Sequence, residues 1–226
     1  MNEEELKTEL INKESLYGGL VKNVKRRKVS PNDPRSSEEI KRGGMSGGDR
    51  MAGPASRRRH GYGANYAKFL KKFLNNEEQE HVIVEVGVLM GSGLATWSDL
   101  FPNNLVYGLD IDLSHVKDNM EFLKSKGAFR NNNLSLHEYD QFEDIDKNRA
   151  LLSEILQGRK IKVMIDDALH SDETILSTLQ SVKSFLADDF VYFIEDNRTA
   201  ADKLALLHPN FEVFYQKKLT VLTPRF

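Results

Sequence analysis

Acidic side chains follow five separate apolar segments of this chain, and a histidine lies close behind one of them. These residues are Glu85, Asp110, Asp140, Asp166, Asp167, Glu195 and Asp196, together with His170. One acid after a strand is usually the cap of the next helix, but seven acids at five segment ends exceed what capping requires. Clustered carboxylates repel one another unless they bind cations or hydroxyl groups, so the sequence predicts a site of that kind.

The first apolar segment leads into a turn that is rich in glycine. Residues 82–86 are mostly β-branched, which is typical of a strand buried on both faces. The glycines that follow are Gly87, Gly91 and Gly93. A strand, a glycine turn and a helix form the first unit of a nucleotide-binding α/β domain, in which the glycines let the backbone approach a ligand. The spacing differs from the G-x-G-x-x-G of dinucleotide-binding proteins, which disfavours a dehydrogenase, and an ordinary strand-to-helix turn stays an alternative.

Strands and helices alternate along the chain after this turn. Apolar segments predict strands over 82–86, 105–111, 134–138, 161–165 and 190–194, and helical patterns cover 62–74, 114–125, 146–157 and 172–186. Two closely spaced strands, 211–215 and 219–222, complete the chain and should pair antiparallel. The sequence therefore predicts an α/β fold, a doubly wound and mainly parallel seven-stranded sheet with a C-terminal antiparallel hairpin.

The N-terminal part of the chain differs in charge from the rest. Residues 21–60 hold twelve Lys or Arg and four Asp or Glu, a local charge of +8, whereas the whole chain carries −2. This contrast predicts an irregular basic N-terminal extension, residues 1–61, ahead of a domain over 62–226. We expect a short helix over 2–15 and little regular structure over 17–60, where 43–48 is a flexible glycine link. The basic cluster at 57–60 would cover the site as a lid or bind an anionic substrate, unless the segment is a solvated arm.

Composition disfavours several classes of protein. The chain has no cysteine, which excludes disulfides, thiolate zinc sites and a cysteine nucleophile. No apolar run is long enough to cross a membrane, and the acidic start of the chain is unlike a secretory signal. We therefore expect a cytoplasmic location without a membrane partner, and a homo-oligomer stays open.

The carboxyl ends of parallel strands meet at one edge of a sheet, which is where ligands bind in such folds. Asp110 ends the second strand, where an acid can accept two hydrogen bonds from a ribose diol. Asp140 and Gln141 end the third strand and are placed to reach a base or an amino group. The acids after the fourth and fifth strands suit a hard cation such as Mg²⁺. His170 could be a metal ligand, a general base or a buried structural histidine, and an imidazole pKa near working pH suits the base.

Several short motifs resemble those of a known family. Glu85-Val-Gly-x-x-x-Gly, Gly108-Leu-Asp110 and the closing hairpin resemble the class I (Rossmann-like) S-adenosylmethionine-dependent methyltransferases, over residues 62–226. A narrower likeness, to metal-dependent sugar O-methyltransferases of the mycinamicin type, comes from Asp166-Asp-Ala-Leu-His170, Ile194-Glu-Asp196 and Gly91-Ser-Gly-Leu-Ala-Thr-Trp97. Residues 1–60 show no such resemblance, so the acceptor of that subfamily does not follow for this chain.

The resemblance implies methyl transfer from S-adenosylmethionine to a hydroxyl of a small molecule, a diol of a sugar, with Mg²⁺ assistance. It implies that the cofactor is bound by Glu85, Gly87, Gly91, Gly93, Asp110, Asp140, Gln141 and Asp166. The implied metal ligands are Asp167, Glu195 and Asp196, with either Asp166 or Asp167 facing the ion, and His170 is the implied base. The alternatives are a nucleic-acid methyltransferase that uses the basic segment, which the acidic site disfavours, and a non-catalytic cofactor-binding module.

Overall fold

A central sheet of seven strands dominates the structure, which is a computed structural model describing residues 1–52, 60–74 and 81–225. In chain order the strands are β1 (Val21–Val24), β2 (Met45–Gly47), β3 (His81–Val86), β4 (Leu105–Asp110), β5 (Leu134–Glu138), β6 (Lys160–Asp166), β7 (Leu186–Ile194), β8 (Phe211–Gln216) and β9 (Leu219–Pro224). The helices are α1 (Glu3–Leu16), α2 (Ser37–Arg42), α3 (Gly63–Leu70), α4 (Ser92–Leu100), α5 (Ser114–Ser125), α6 (Ile145–Leu156), α7 (Asp172–Val182) and α8 (Ala200–Leu207). No helix among the described residues is both long enough and apolar enough to cross a bilayer.

The strand order of the sheet is β5-β4-β3-β6-β7-β9-β8. Strands β3 to β7 run parallel, and β9 runs antiparallel to both of its neighbours. The predicted mainly parallel seven-stranded sheet with a C-terminal hairpin is therefore confirmed. The chain progresses outward on one side from β3 to β5 and then crosses back to β6, so β3 and β6 form the point where the strand order reverses. Ligands of doubly wound sheets bind above such a point.

Each face of the sheet is covered by helices, because neighbouring residues of a strand point to opposite sides. Ile83, Ile165 and Phe193 face one apolar cluster, to which α3 contributes Tyr66 and α4 contributes Trp97. The alternate strand residues face a second cluster, which α6, α7 and α8 complete; its members include Val82, Val84, Met164, Leu152, Leu179 and Leu204. Full burial of a large apolar side chain contributes about 1.5–3 kcal/mol, so these two layers fix the register of the sheet and with it the positions of the strand ends.

The N-terminal extension packs against the sheet domain. The predicted helix over 2–15 is confirmed as α1, which begins with a capping box between Asn2 and Glu5. Leu6 and Leu10 of α1 are fully buried in the same cluster as Tyr66. Both sides of residue 61 thus contribute to one core, and the division of the chain at that residue stays a prediction.

Residues 17–60 contain more regular structure than predicted. Within this segment β1 pairs antiparallel with β2, and α2 lies between them. The prediction of little regular structure is therefore wrong for these three short elements, and β2 lies inside the presumed glycine link. The backbone of Gly48 lies close to that of Gly19. A Cβ atom added to Gly48 would be 1.8 Å from the carbonyl oxygen of Gly19, so only glycine fits at this position. Most of the predicted basic cluster, residues 57–59, and the predicted loop 75–80 lie outside the described residues.

Candidate active site

A cavity of about 700 Å³ lies above the carboxyl ends of the parallel strands. It is lined by most of the predicted site residues: Glu85, Gly87, Gly93, Asp110, Asp140, Gln141, Asp167, His170, Glu195 and Asp196. Gly91 and Asp166 lie outside the lining. Residues of the N-terminal extension form part of the wall, among them Tyr17, Arg26, Ser30 and Arg50. The extension is therefore a component of the site.

A buried arginine of the extension lies among the strand-end acids. The Nη2 atom of Arg50 donates to Glu85 Oε1 and to Asp167 Oδ2, each at 2.7 Å. Its Nε atom lies 2.7 Å from Glu195 Oε1, without the alignment of a hydrogen bond. Burial opposes the charge on the guanidinium, but the carboxylates of Glu195, Glu85 and Asp167 outweigh that penalty and raise the pKa of Arg50 above its ordinary value. This cation neutralises part of the acidic cluster.

Sequence reasoning missed Arg50. The one available signal was general: clustered carboxylates require a cation, and residues 21–60 carry the surplus of basic side chains. Nothing in the local pattern distinguishes Arg50 from the other basic residues of that segment.

The loop that carries Arg50 is anchored at several points. Glu14, a buried residue of α1, accepts hydrogen bonds from the backbone N–H groups of Arg50 and Met51 at 2.9 Å and of Ala52 at 3.4 Å. The carbonyl oxygen of Arg50 accepts the N–H of Tyr62 at 2.9 Å. Burial raises the pKa of Glu14, although these three N–H groups and the charge of Arg50 favour its ionised form. These contacts fix the position from which the guanidinium reaches the strand ends.

Glu85 is held on three sides. Besides the bond from Arg50, it accepts one from the indole Nε1 of Trp97 at 3.1 Å. Gly93 lies on the third side, where an added Cβ would be 2.3 Å from Glu85 Oε1. Glu195 is equally enclosed, because it accepts a hydrogen bond from the hydroxyl of Tyr66 in addition to the ion pair with Arg50. Both carboxylates are 2% exposed, so little of either remains open to a ligand.

Gly93→Ala should destabilise the protein. Alanine normally stabilises a helix by about 1 kcal/mol relative to glycine. The new Cβ would displace the Glu85 carboxylate, and overpacking of this kind costs about 1–3 kcal/mol, so we expect a net loss. Urea denaturation gives the free energy of unfolding. The fluorescence of Trp97, the single tryptophan, reports whether Glu85 has moved. An increase in stability would contradict the contact.

The two other glycines of the turn have different roles. Gly87 has φ 86°, and an added Cβ would lie 2.3 Å from the carbonyl oxygen of Asp167. Only glycine therefore allows the turn after β3 to approach the end of β6. Gly91 immediately precedes α4 as its N-cap and faces Val116, whose Cγ2 would lie 2.6 Å from an added Cβ. Its role in this structure is to let α4 pack on α5.

Asp110 is oriented by backbone donors. Its Oδ2 accepts the N–H of Val88 at 2.8 Å and that of Leu89 at 3.4 Å, and its Oδ1 accepts the N–H of Asp112 at 2.9 Å. Burial raises the pKa of Asp110, while these three donors act in the opposite direction. A carboxylate has about four acceptor positions, so Asp110 retains capacity for a ligand hydroxyl on the cavity side.

The acids and the amide near the end of β5 are partly engaged with protein groups. Asp140 accepts the hydroxyl of Ser30 at 2.5 Å and the N–H of Phe142 at 2.9 Å. Gln141 donates to both oxygens of Asp166, at 3.1 and 3.3 Å. Burial raises the pKa of Asp166 to about 6, which fits its position outside the cavity. Of the two consecutive aspartates at the end of β6, Asp167 is the one that lines the cavity.

His170 lies at the cavity with its ring orientation fixed. Its Nδ1 is 3.2 Å from the carbonyl oxygen of Glu195, and because a carbonyl can only accept, Nδ1 carries the proton. In the neutral ring Nε2 then has the free lone pair, and it lies 3.8 Å from Asp167 Oδ1. His170 has φ 62°, a left-handed conformation that is uncommon for histidine and is often found at functional sites.

Asp196 is paired with a second cation of the N-terminal part. The Oδ1 atom of Asp196 accepts a hydrogen bond from the Tyr62 hydroxyl at 2.8 Å, and it lies 3.0 Å from His60 Nδ1. The bonds to Asp196 and Asp49 raise the pKa of His60 to about 10, so this histidine is cationic at neutral pH. Burial of Asp196 acts against its charge, but the bond to His60 outweighs it and lowers the pKa of Asp196 to about 2. Both side chains are therefore charged.

One group of side chains in the described part of the chain has the spacing of a metal site. Asp167, His170 and Asp196 each offer one ligand atom, and these atoms lie within 4.8 Å of one another. The predicted ligand Glu195 is not in this group, because its carboxylate faces Arg50 and Tyr66. Of the three predicted metal ligands, Asp167 and Asp196 are thus brought together, and the third member of the group is His170 rather than Glu195.

Basic residues of the extension pair with acids of the sheet domain. Arg27 lies 2.5 Å from Asp118, and Lys28 lies 2.5 Å from Glu138. Together with the bond from Ser30 to Asp140, these contacts place the segment after β1 against α5 and the end of β5. Much of the positive charge in this segment is therefore engaged within the molecule.

A second cavity, of about 890 Å³, adjoins the first at Ser46, Asp49 and His60. Its lining is rich in basic and aromatic side chains: Lys22, Tyr62, Arg198, Tyr215, Lys217 and Lys218. The hairpin of β8 and β9 forms one side of it, through Tyr215, Lys217 and Lys218. A ligand too large for the first cavity could extend into this second cavity.

The fold of the chain is similar to that of solved methyltransferases. The sequence matches no protein-family model and no curated protein. One similar structure is the MycE methyltransferase from the mycinamycin biosynthetic pathway in complex with Mg, SAH and mycinamycin VI, with 18% identity and a TM-score of 0.55. The match covers 73% of this chain and 50% of MycE, so the chain spans about half the length of that protein.

A second similar structure is TrmN from Thermus thermophilus. It is 13% identical with a TM-score of 0.51, and the match covers 72% of this chain and 48% of TrmN. At these identities the likeness establishes the fold alone. The predicted Rossmann-like methyltransferase fold is therefore confirmed, and the reaction has to be argued from the site.

Proposed function

We propose that this protein is an S-adenosylmethionine-dependent O-methyltransferase that acts on a hydroxyl of a small molecule, a diol of a sugar, with Mg²⁺ assistance. The observation that carries the proposal is a single cavity that combines the Gly87 turn, Asp110 with free acceptor capacity, and the free Nε2 of His170 beside two carboxylates. The fold shared with MycE, whose structure was solved with Mg, SAH and mycinamycin VI, supports it.

The cavity suits the charge and shape of the proposed cofactor. The open acceptor position of Asp110 would receive a ribose hydroxyl, and the adenine would lie towards Asp140. The methionine part would lie along the turn at Gly87, near the acids around Arg50. A sulfonium group is cationic, so the surplus of carboxylates at this end favours it over an anionic ligand.

His170 is the proposed general base. Its Nδ1 proton is committed to the carbonyl of Glu195, which leaves Nε2 to accept the proton of the substrate hydroxyl. The carboxylate of Asp167, 3.8 Å away, would stabilise the imidazolium that forms. When bound, S-adenosylmethionine would supply the methyl group to the deprotonated oxygen; its carbon–sulfur bond would break and S-adenosylhomocysteine would remain as a neutral thioether. Positioning of the two reactants would supply much of the rate.

The residues of this site fit a divalent cation, but His170 cannot be one of its ligands if it also acts as the base. Nε2 cannot both bind a metal and accept a proton, so we assign the ion to Asp167 and Asp196. Mg²⁺ commonly binds proteins through one or two carboxylates and keeps several waters, which this arrangement allows. When bound, the ion would lower the pKa of a coordinated hydroxyl.

The contacts of the basic segment favour a small-molecule acceptor over nucleic acid. A nucleic-acid tether needs free cations, but Arg27 and Lys28 pair with acids of the sheet domain and Arg50 is buried. The non-catalytic alternative is disfavoured by the free Nε2 of His170 at the cavity, since a pure binding module has no need of a base.

Calorimetric titration with S-adenosylhomocysteine, with and without Mg²⁺, tests the cofactor. We expect binding to the wild type, and a 10- to 100-fold weaker affinity in Asp110→Asn, since a lost hydrogen bond to a charged group costs roughly 1.5–3 kcal/mol. Asp118→Asn, an acid of the same region that pairs with Arg27, is the matched control and should bind normally. No heat of binding under any condition would remove the proposal.

A further inference from the structure

The acids of the site fall into two sets that differ in their partners. Glu85 and Glu195 are 2% exposed and contact the guanidinium of Arg50; we call them the inner carboxylates. Asp167 and Asp196 are more exposed, with 27% and 22% of their side chains accessible. Both belong to the group that has the spacing of a metal site, and we call them the outer carboxylates. Arg50 contacts both sets, because its Nη2 also reaches Asp167 Oδ2.

The resident cations do not balance these acids. Four carboxylates, inner and outer, face two side-chain cations, Arg50 and His60. The inner carboxylates have Arg50 as their cation, and His60 contacts only the outer Asp196 among the four. Each set thus has one cation for two carboxylates, but only the outer carboxylates are appreciably exposed at the cavity, and there Asp167 Oδ1 faces His170 rather than a permanent cation. A divalent ion is favoured at that position by simple electrostatics.

A metal ion could reach the inner carboxylates only by displacing Arg50. The loop around this residue is held by Glu14, by the bond from Tyr62 N–H to the carbonyl of Arg50, and by the bond from His60 N–H to the carbonyl of Asp49. Moving the guanidinium away would leave a buried arginine and two buried carboxylates without their partners, which is strongly unfavourable. The arginine is thus a fixed occupant of the inner position.

We infer that Arg50 determines where the divalent cation binds: it occupies the inner carboxylates in place of a metal ion and confines the ion to Asp167 and Asp196. Arg50 is in this sense a specificity-determining residue of the metal site. The inference rests on the metal of the proposed function. It assigns Glu195, which the sequence motif suggests as a ligand, to the arginine instead.

Titration of Mn²⁺, followed by its electron paramagnetic resonance signal, tests this assignment on the full chain without any acceptor. Glu195→Gln should bind Mn²⁺ as well as the wild type, because Glu195 is not a ligand while Arg50 is present. Asp196→Asn should bind at least about tenfold more weakly, since even the loss of a residue that only orients a metal ligand typically costs about 10- to 100-fold. Equal losses in the two variants would overturn the inference by restoring Glu195 to the ligand set.

Removal of the arginine gives the complementary test. Arg50→Gln should bind Mn²⁺ about tenfold or more tightly than the wild type, because the inner carboxylates become available to the ion. The gain should vanish in Arg50→Gln/Glu195→Gln and be absent in Arg35→Gln, a control arginine that pairs with Asp33 on the same segment. An unchanged affinity in Arg50→Gln would overturn the inference.

The outcomes of these experiments distinguish a failure of the inference from a failure of the proposed function. If Arg50→Gln does not fold, the comparison of Glu195→Gln with Asp196→Asn decides alone, since both keep the arginine. Absence of Mn²⁺ binding in the wild type and in every variant would also overturn the inference. Calorimetry with S-adenosylhomocysteine on the same samples shows whether the proposed cofactor site stands independently of the metal.

Discussion

His170→Asn should lower kcat for methyl transfer by about 10²- to 10⁴-fold, the range that a positioned general base supplies. Asparagine is the informative replacement for two structural reasons. It tolerates the left-handed backbone conformation at this position, where φ is 62°, and its amide N–H can replace the Nδ1 donor to the carbonyl of Glu195. The substitution therefore removes the base at Nε2 and little else.

Single-turnover transfer from labelled S-adenosylmethionine to a diol acceptor, found by screening sugars and catechols, measures this effect. Affinity for S-adenosylhomocysteine should not change in His170→Asn. His208→Asn, a histidine next to Phe211 and remote from the cavity, is the control for a general loss of folding. A full rate in His170→Asn would exclude this residue as the base.

The sheet could be predicted because its signals are local. A buried parallel strand needs a continuous apolar run, and the acid or glycine that ends it is visible in the sequence, so the end of β4 is predicted within one residue. The start of β7 shows the limit of this reasoning. Strand β7 begins at Leu186, four residues before the predicted 190, because Asp188 and Asp189 conceal it; aspartate is a poor strand former. The structure accommodates Asp189 through an ion pair with Lys162 at 2.9 Å.

The site could be predicted as far as topology determines it. Strand order brings Asp110, Asp167 and Glu195 to one edge, and the rule that ligands bind there located the cavity. The individual roles depend on side-chain contacts between distant parts of the chain. Glu195 resembles a metal ligand in the sequence, yet its partner Arg50 is supplied by a loop whose position is set by pairing of β1 with β2 and by Glu14. Such contacts leave no periodic pattern.

Gln141 and Asp166 illustrate the same limit on a smaller scale. Both lie at or just after the end of an apolar strand and therefore resemble cavity residues, but only Gln141 lines the cavity. In the structure the amide of Gln141 is used to satisfy Asp166, which is 1% exposed and also accepts the hydroxyl of Tyr192 at 3.3 Å. A buried acid needs such donors wherever it lies. A strand-end position thus predicts that a polar residue is near the ligand edge, but the direction of its side chain decides whether it serves the ligand or the fold.

Glu14→Ala should lower the free energy of unfolding by about 3 kcal/mol, because it leaves three backbone N–H groups without their acceptor in a buried place, and each orphaned donor costs roughly 1–3 kcal/mol. The bond from Ala52 is long, at 3.4 Å, and water can reach part of the site, so the summed cost of the three donors should be near the lower end of that range. Glu14→Gln should cost less, since its amide oxygen can still accept the N–H groups of Arg50 and Met51. Glu9→Ala is the matched control, because Glu9 is a partly exposed residue of the same helix that, within the described part of the chain, forms its ion pair with Lys13.

Urea denaturation measures this loss, and hydrogen exchange locates it. In Glu14→Ala the amides of Met51 and Ala52 should exchange faster than in Glu9→Ala, while those of β3 and β6 keep their relative protection. The loosened loop should also hold Arg50 less firmly at the inner carboxylates, so the affinity for Mn²⁺ should rise in Glu14→Ala, by less than in Arg50→Gln. Unchanged exchange at Met51 and Ala52 would contradict this account. A helix at the start of the chain would then have no part in placing the cation of the site, and Arg50 would be held by the strand-end acids alone.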